Sequence, residues 1–351
     1  MPLRDRGFRI WLGSEPLRRC SGPVKRRILP VSLKQVITAD LFGAGWRAAW
    51  IPSMTPSEYI AGAGLSFRPV PEALADPRGR VIAHLRRPDG VDLACVADLK
   101  QEIALYETPQ GEPPLFVSYY TIDTPYEALA ADLRTSLDRH GLPHRIEPVA
   151  SRGSWVANTG LKARVIQAAW QDSGRPVCWI DADAAILRPP SFLMGNPFDV
   201  AFVRRAGWED ISYLIYLNAT EATGRMLAEW VRLCDQHPNV WDQVLFSLAW
   251  FRIARETTLE SQWFHGGVSR IPRPKIRDLR DKLFYYPFGR KIRPFIDQKQ
   301  ASRKLKAYVN ASARPKGEIG SDDLNAGYRA ALANLDFSFD PQLDAIISRR
   351  V

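Results

Sequence analysis

The sequence predicts an α/β fold built on a mostly parallel sheet. From Leu115 onward, strand-like apolar runs alternate with amphipathic helical stretches at short spacing. The run Val177–Ile180 is apolar at every position, as expected of a strand that is covered on both faces. The order strand, helix, strand, helix, strand is typical of parallel strands joined by crossover helices.

The predicted strands and helices alternate along the chain. Strands are predicted at 115–120, 145–149, 177–180, 198–205 and 213–217, and helices at 126–140, at 159–171, after Thr220 and from Asp242. Gly141 and Pro143 end the first of these helices, and Gly174 lies just past the second. Thr220 has the hydroxyl that an N-cap needs.

A Pro/Gly-rich stretch at 107–114 (ETPQGEPP) predicts a domain boundary. We therefore divide the chain into an N-terminal α+β region (1–106), a central domain (107–269) and a C-terminal arm (270–351). In the first region, 32–51 predict a helix and then a strand. Residues 79–96 predict a hairpin that turns at Pro88-Asp89-Gly90.

Composition and charge indicate a globular protein with two basic flanks. The chain has 351 residues, of which 46% are hydrophobic and 25% charged, and a net charge of +10. Residues 1–34 hold nine Arg/Lys against two acids, and residues 270–306 hold thirteen against three. Such flanks suit anionic lipid, phosphorylated substrates or nucleic acid.

We expect a cytoplasmic location. The four cysteines are scattered without a CxxC pair, which favours a reducing compartment. The first twenty residues lack the apolar run of a signal peptide, and no window of 18 residues is apolar enough to span a bilayer.

Two acids, Asp181 and Asp183, follow the buried strand at 177–180 in the sequence WIDADAAIL. Acids at i and i+2 can reach one hard cation such as Mn²⁺ or Mg²⁺, whose remaining ligands are commonly water and substrate phosphates. Such an ion would offset the charge that grows on a diphosphate leaving group. Two alternatives stay open: Asp181 caps a turn while Asp183 is a solvated acid, or the pair belongs to an aspartyl phosphatase.

The order of several motifs resembles the nucleotide-diphospho-sugar transferases, which are glycosyltransferases of the A-type fold. The resemblance covers about 115–267 and includes SYYT, LKARVI, WIDADAAILRPP, FDVAFVRR, LNATEATGRMLAEW and WDQVLFSLA. It implies a Rossmann-like, mixed and mostly parallel sheet, and transfer of a sugar from a nucleotide donor. One departure is Ile211-Ser212-Tyr213, where many members have an Asn-Ser-Gly-like turn.

The resemblance also implies roles for particular residues. Asp181 and Asp183 would bind the metal and the nucleotide diphosphate, and His265 would be a third metal ligand, as in glycogenin-like relatives. The remaining predicted positions are Tyr119, Tyr120 and Thr121 around the nucleoside, Lys162 at a phosphate, and Asp242 and Gln243 near the acceptor or the transferred sugar.

Each of these positions also has a purely structural interpretation. Lys162 would then be a solvated helix residue, Asp242 and Gln243 would cap a helix, and His265 would be a packed or surface histidine.

The C-terminal arm interleaves cations with Phe284, Tyr285, Tyr286, Phe288 and Phe295. This pattern suits the headgroup layer of an anionic membrane, so we expect a glycan or lipid-linked acceptor and peripheral contact with the inner membrane face. Alternatively, the arm packs on the catalytic domain with its cations in water. A nucleic acid partner is not expected.

Two rival functions use the same residues. The first is a metal-dependent phosphatase or nucleotidyltransferase, which would release different products. The second is a binding protein with a degenerate site, for which loss of Asp181 would change only stability.

Overall fold

The structure is a computed structural model. It describes residues 54–76, 79–204, 210–271, 291–299, 301 and 340–348. These residues all fall within one compact unit, Ala49–Val351. The helix and strand predicted at 32–51 and the aromatic residues predicted at 284–288 lie outside the described residues.

Helices and strands alternate through most of the described chain. The helices are α1 (Pro56–Ala61), α2 (Val70–Ala75), α3 (Leu99–Glu107), α4 (Tyr126–Arg139), α5 (Trp155–Thr159), α6 (Leu161–Ser173), α7 (Glu221–Gln236), α8 (Asp242–Glu256) and α9 (Pro341–Ser348). The strands are β1 (Arg68–Pro69), β2 (Arg80–Arg86), β3 (Asp92–Ala97), β4 (Leu115–Thr121), β5 (His144–Val149), β6 (Val177–Ile180), β7 (Ala184–Ile186), β8 (Val200–Arg204), β9 (Asp210–Leu217), β10 (Ser261–Phe264), β11 (Ser269–Arg270) and β12 (Ile296–Gln298).

Nine of the described strands form one sheet, in the order β1-β3-β2-β10-β8-β9-β6-β4-β5. Strands β5, β4, β6, β8 and β10 all run in one direction, and β9 runs against its neighbours β6 and β8. The predicted α/β class with a mixed, mostly parallel sheet is confirmed. The reversed strand β9 places its first residues next to the carboxyl end of β6.

The N-terminal hairpin is an extension of this sheet. Strands β2 and β3 pair antiparallel as predicted, and β2 also pairs with β10 through Ser261 and His84. Strands from both sides of the predicted boundary at 106/107 therefore belong to one sheet. The boundary stretch is itself tied down, because the N–H of Gln110 donates to Met194 O and the N–H of Gly195 donates to Glu112 O.

The helix predicted at 159–171 is confirmed as α6, which is shifted by two residues, and a short helix, α5, precedes it that the sequence analysis did not predict. Ser154 caps α5 by accepting a hydrogen bond from the N–H of Ala157, and Gly160 separates α5 from α6. The predicted end is confirmed by Gly174, which follows α6 in a left-handed conformation with φ of 58°. The predicted Thr220 N-cap of α7 is also confirmed, since its side chain accepts from the N–H of Thr223.

Apolar side chains fill both faces of the sheet. Along β8, Val200 and Phe202 join one buried cluster, whereas Ala201 and Val203 join the other. This alternation puts one cluster on each face, because successive strand residues point to opposite sides. The first cluster includes α7 and α8, whose core side chains include Trp230, Phe246 and Trp250.

A smaller sheet brings the C-terminal part of the chain back to the central sheet. Its order is β11-β12-β7, and Gln298 of β12 pairs with Ala184 of β7. Phe295, which the sequence suggested for a membrane headgroup layer, is fully buried instead, with Arg188 stacked 3.3 Å from its ring centre. Strand β12 therefore lies beside the turn that contains Asp181 and Asp183.

Candidate functional site

The turn after β6 presents Asp181 at the carboxyl end of the central strand. The backbone N–H of Asp181 donates to Tyr213 O of the reversed strand β9. The Trp179 indole N–H donates to Asp181 Oδ1 at 2.8 Å, which orients the carboxylate. The Asp181 side chain is 34% exposed. Ligands of open α/β sheets collect at the carboxyl ends of strands, so this carboxylate is well placed to meet one.

Lys162 lies in the first turn of α6, and its buried ammonium joins two carboxylates. Its Nζ is 3.0 Å from Asp242 Oδ2 and 3.4 Å from Asp181 Oδ1. It also donates to the backbone oxygen and the hydroxyl of Ser212, both at 3.1 Å. Burial by itself would lower the pKa of Lys162, but Asp181 and Asp242 raise it by more, so the ammonium stays charged.

Lys162 is therefore not a solvated helix residue, because its buried ammonium contacts Asp181, Asp242 and Ser212. Its contact with a substrate phosphate stays a prediction. Its charge holds two acids from different elements next to each other.

Asp242 begins α8 and is completely buried. Its Oδ2 accepts from Lys162, and the Ser212 hydroxyl donates to the same oxygen at 3.4 Å. Its Oδ1 has no hydrogen-bond partner within the part of the chain that the structure describes. Burial raises the pKa of Asp242, and Lys162 opposes that shift. The neighbouring Gln243, predicted with it, is also buried.

Asp183 is buried as well, and it faces strand β12. Gln298 Nε2 donates to its Oδ1, the N–H of Ala301 donates to its Oδ2 at 2.6 Å, and the N–H of Lys299 donates to its backbone oxygen. Burial and the charge of Asp181 raise the pKa of Asp183 to about 6. Asp181, Asp183 and Asp242, here called the acid cluster, thus interact electrostatically within one region.

The end of β4 lies against the same region. The Tyr119 ring packs 5.3 Å from the Trp179 ring, and its hydroxyl donates to Asn158 O at 2.6 Å. Burial, Asp242 and Asp181 all raise the pKa of Tyr119. Tyr120 is half-buried, whereas Thr121 is buried and its backbone oxygen accepts from the Thr124 hydroxyl. Among the predicted nucleoside residues, Tyr119 is thus placed next to the acid cluster.

His265 follows β10 and starts a short 3₁₀ turn. Its Nδ1 accepts from the N–H of Gly267 at 2.9 Å, and its own N–H donates to the Tyr106 hydroxyl. Across the described ranges, no group of three or more His, Cys, Asp or Glu side chains is placed to hold a metal ion. The structure therefore does not bring Asp181, Asp183 and His265 together as one three-residue site.

Two residues of this region were missed by sequence reasoning. Ser212 lies where the sequence departs from the expected Asn-Ser-Gly-like turn, and its hydroxyl and carbonyl bind Lys162. Gln298 lies in the basic arm, 115 residues after the acid that it binds. Its Oε1 is buried and has no hydrogen-bond partner among the described residues. No local pattern marks either residue, because both act through contacts between distant elements.

No helix in the described ranges is both long and apolar enough to cross a membrane.

No protein-family model matches the sequence, and no curated protein matches it. Among solved structures, the chain is similar to a glycosyltransferase involved in glycosylation of the major capsid of PBCV-1, with 11% identity and a TM-score of 0.38 over 57% of this chain and 100% of that one. It is similar to mouse xyloside xylosyltransferase 1, with 11% identity and a TM-score of 0.34 over 54% of this chain and 98% of that one. It is also similar to the glycosyltransferase GlyE of Streptococcus pneumoniae, with 10% identity and a TM-score of 0.36 over 65% of this chain and 66% of that one. These identities and TM-scores do not establish a shared family, so the functional inference depends on the residues of the site.

Proposed function

We propose that this chain is a glycosyltransferase that moves a sugar from a nucleotide-diphosphate donor to an acceptor hydroxyl. The observation that carries the proposal is the Lys162 ammonium, held between Asp181 and Asp242 where β6 ends. The turn after β6 and the first turns of α6 and α8 each supply one charged residue to the same point. A buried charged group of this kind is expensive to maintain and is typical of functional sites.

The donor would meet the site through Asp181, the exposed member of the acid cluster. Tyr119 and Tyr120, at the end of β4, would lie on the nucleoside side. Lys162 would keep Asp242 ionised and hold the Asp181 carboxylate in position. Asp242 and Gln243 would lie towards the transferred sugar, and we assign neither residue a proton-transfer step.

Two residues of the acid cluster, Asp181 and Asp183, carry oxygen ligands of the kind that a divalent cation such as Mn²⁺ or Mg²⁺ prefers. Three carboxylates against one ammonium leave an excess of negative charge, which burial makes costly. The buried Oε1 of Gln298 is a further oxygen without a partner in the described chain, next to Asp183. Oxygen ligands of this kind suit hard cations.

We therefore propose that Asp181 and Asp183 would hold the ion, with Gln298 Oε1 within the same region. When bound, the ion would offset the charge that develops on the diphosphate leaving group. The role of His265 as a third ligand stays a prediction.

A thermal-shift panel tests the proposed function. Wild-type protein would be heated with UDP-, GDP-, CDP- and ADP-sugars, each with and without Mn²⁺, and the same panel would be applied to Asp181→Asn. We expect one donor to raise the melting temperature only when Mn²⁺ is present, and the rise to vanish in the variant. The control is Asp172→Asn, which changes an exposed acid at the far end of α6 that pairs with Arg145.

Two outcomes would contradict the proposal. One is a panel in which no donor stabilises the wild type. The other is a donor response that Asp181→Asn leaves intact, because the exposed carboxylate would then not contact the donor.

We also propose that the acceptor is a glycan or lipid-linked saccharide, reached at an anionic membrane surface through the basic arm. The support is the charge of residues 270–306, which hold thirteen Arg/Lys against three acids. Co-sedimentation with vesicles of anionic and of neutral lipid at low salt tests this contact. We expect binding to the anionic vesicles and none to the neutral ones. Failure to bind the anionic vesicles would contradict the proposed membrane contact.

A further inference from the structure

Three hydrogen-bond donors from the C-terminal part of the chain converge on Asp183. They belong to a segment, here called the C-terminal strap, that consists of residues 295–299 and 301. Gln298 Nε2 donates to Oδ1, the N–H of Ala301 donates to Oδ2 at 2.6 Å, and the N–H of Lys299 donates to the backbone oxygen at 3.1 Å. Asp183 thus joins the turn after β6 to a segment that lies 115 residues later in the chain.

The first half of the strap is held by the core. Phe295 is fully buried, the guanidinium of Arg188 lies 3.3 Å from its ring centre, and β12 pairs antiparallel with β7. At the other end, Lys299 Nζ lies 2.7 Å from the exposed carboxylate of Asp132, and ion pairs of this exposed kind contribute little. We therefore expect the contacts with Asp183 to decide how firmly the end of the strap is held.

The Gln298 side chain carries a buried oxygen that lacks a partner. Gln298 is 4% exposed, and its Oε1 has no hydrogen-bond partner among the described residues. A buried oxygen of this kind costs free energy, so it points to a ligand that supplies the missing contact. The same amide donates to the Asp183 carboxylate, and carboxylate and glutamine oxygens together are ligands that hard cations accept.

The hydrogen bonds from the strap are compatible with a cation on Asp183. Each carboxylate oxygen has two lone pairs, so a hydrogen bond to it leaves one for a cation. Carboxylates that bind metals are commonly oriented by such hydrogen bonds. Asp181 lies two residues earlier in the same turn, and its side chain is 34% exposed, so the site can be reached from solvent through this carboxylate.

We propose that cation binding and the fixing of the C-terminal strap are coupled, with Gln298 Oε1 completing the oxygen ligands that Asp181 and Asp183 supply. This inference rests on the proposed function and adds a regulation of its site. Coupling between two equilibria is reciprocal, so the strap should strengthen cation binding by the same factor by which the cation strengthens the strap. A strap that shields Asp183 from the cation is the alternative, and it predicts the opposite effect.

The first measurement is hydrogen–deuterium exchange of the whole wild-type chain, followed by mass spectrometry, in metal-free buffer and with saturating Mn²⁺. We expect the amides of the peptide spanning 295–301 to exchange about fivefold or more slowly with Mn²⁺. The hairpin of β2 and β3 is the internal control, because three strands separate β2 from β6, and its exchange should not change. Unchanged or faster exchange of 295–301 would overturn the coupling.

The second measurement is the affinity for Mn²⁺, obtained from the EPR signal of the free ion. Gln298→Met keeps an unbranched side chain but removes the amide, so its Kd for Mn²⁺ should rise about tenfold or more. Gln342→Met is the matched control, because Gln342 is an exposed glutamine on α9, and its Kd should equal that of the wild type. An unchanged or lower Kd for Gln298→Met would overturn the proposal. The exchange measurement needs no variant, so it decides the question if Gln298→Met does not fold.

The failure of this coupling and the failure of the proposed function have different signatures. If the wild type binds no Mn²⁺ but a nucleotide sugar still raises its melting temperature, the coupling is overturned and donor binding stands. If Mn²⁺ slows exchange in the strap but no nucleotide sugar binds, the coupling stands and glycosyl transfer fails.

Discussion

Lys162 is the residue on which the site depends most, because its buried ammonium lies 3.0 Å from the Asp242 carboxylate and 3.4 Å from that of Asp181. Taking both charges out of water costs free energy, and their mutual attraction offsets that cost only while both are present. The pair therefore fixes the relative positions of Lys162 and Asp242 more than it adds to the net free energy of unfolding. Loss of either partner alone should lower that free energy, because the other charge is then buried without a counter-charge.

Lys162→Met tests this dependence. The variant keeps the length of the side chain but leaves Asp242 buried without a counter-charge, so we expect a loss of about 3–5 kcal/mol in the free energy of unfolding. The double variant Lys162→Met/Asp242→Asn should be more stable than Lys162→Met alone, because the uncompensated charge of Asp242 is then removed as well. Urea unfolding at pH 7 measures both. A loss below about 1 kcal/mol for Lys162→Met would contradict the buried pair.

Asp183 gives the fold a dependence on pH. Its folded-state pKa is about 6, above the usual value of about 3.9 for an unfolded chain. The folded state therefore binds this proton more tightly, and the resulting stability is present below pH 4 and is lost as the pH rises through 6. The full difference amounts to about 3 kcal/mol at most.

Asp183→Asn should remove that pH dependence. Between pH 4 and 7 the free energy of unfolding of the wild type should fall relative to that of the variant, by about 2–3 kcal/mol in metal-free buffer. Parallel curves for the two proteins would contradict the raised pKa. Only the slopes of the free energy of unfolding against pH are compared, because the amide of Asp183→Asn also changes the hydrogen bonds from Gln298 and Ala301.

Among the secondary-structure elements, the site depends on the antiparallel strand β9 and on two helices, α6 and α8, that begin near the carboxyl end of β6. Strand β9 runs antiparallel and places Ser212 beside Asp181, and α6 begins directly after Gly160 with Lys162 in its first turn. The first residue of α8 brings Asp242 to the same point. A carboxylate at a helix start is favoured by the helix dipole, which helps to keep Asp242 ionised.

The stretch 107–114 is held against the loop before β8 by a close backbone approach at Gly195. Gly195 has φ of 68°, and a Cβ there would lie 2.6 Å from Gln110 C and from Gly111 N. An alanine would therefore be strained in its backbone and would also collide with neighbouring backbone. The predicted boundary stretch is thus packed against this loop.

Gly195→Ala is expected to cost about 3 kcal/mol or more in the free energy of unfolding. Gly90→Ala is the matched control, because Gly90 also has a positive φ, of 80°, but nothing lies within 4 Å of its added Cβ. Backbone strain alone should cost the control about 1–2 kcal/mol. Equal losses for the two variants, measured by urea unfolding, would show that the close approach is absent.

Across the whole molecule, the sequence predicted those features that local patterns determine. Apolar periodicity located β4, α4, β5 and β6, and cap residues such as Thr220 and Gly174 located helix ends. Ser154 was overlooked as a cap, and the short helix α5 that it starts was therefore not predicted. The carboxyl end of β6 was correctly predicted as the place where Asp181 is presented.

What the sequence could not predict are contacts between distant segments. The pairing of β2 with β10 joins residues almost 180 positions apart, and β12 returns to bind Asp183 through Gln298. Neither contact has a periodic signal, because each depends on the path of the chain through three dimensions. For the same reason the contacts of Lys162 with Asp181, Asp242 and Ser212 were not predicted.

Sugar transfer from a nucleotide donor is distinguished from its rivals by the identity of the nucleotide product. The wild type would be incubated with Mn²⁺ and the nucleotide sugar that stabilises it in the thermal-shift panel, and the products separated by anion-exchange chromatography. We expect release of the nucleoside diphosphate, at least a hundredfold slower with Asp181→Asn. Release of inorganic phosphate, or of a nucleoside monophosphate with a sugar phosphate, would contradict it, as would an unchanged rate in the variant.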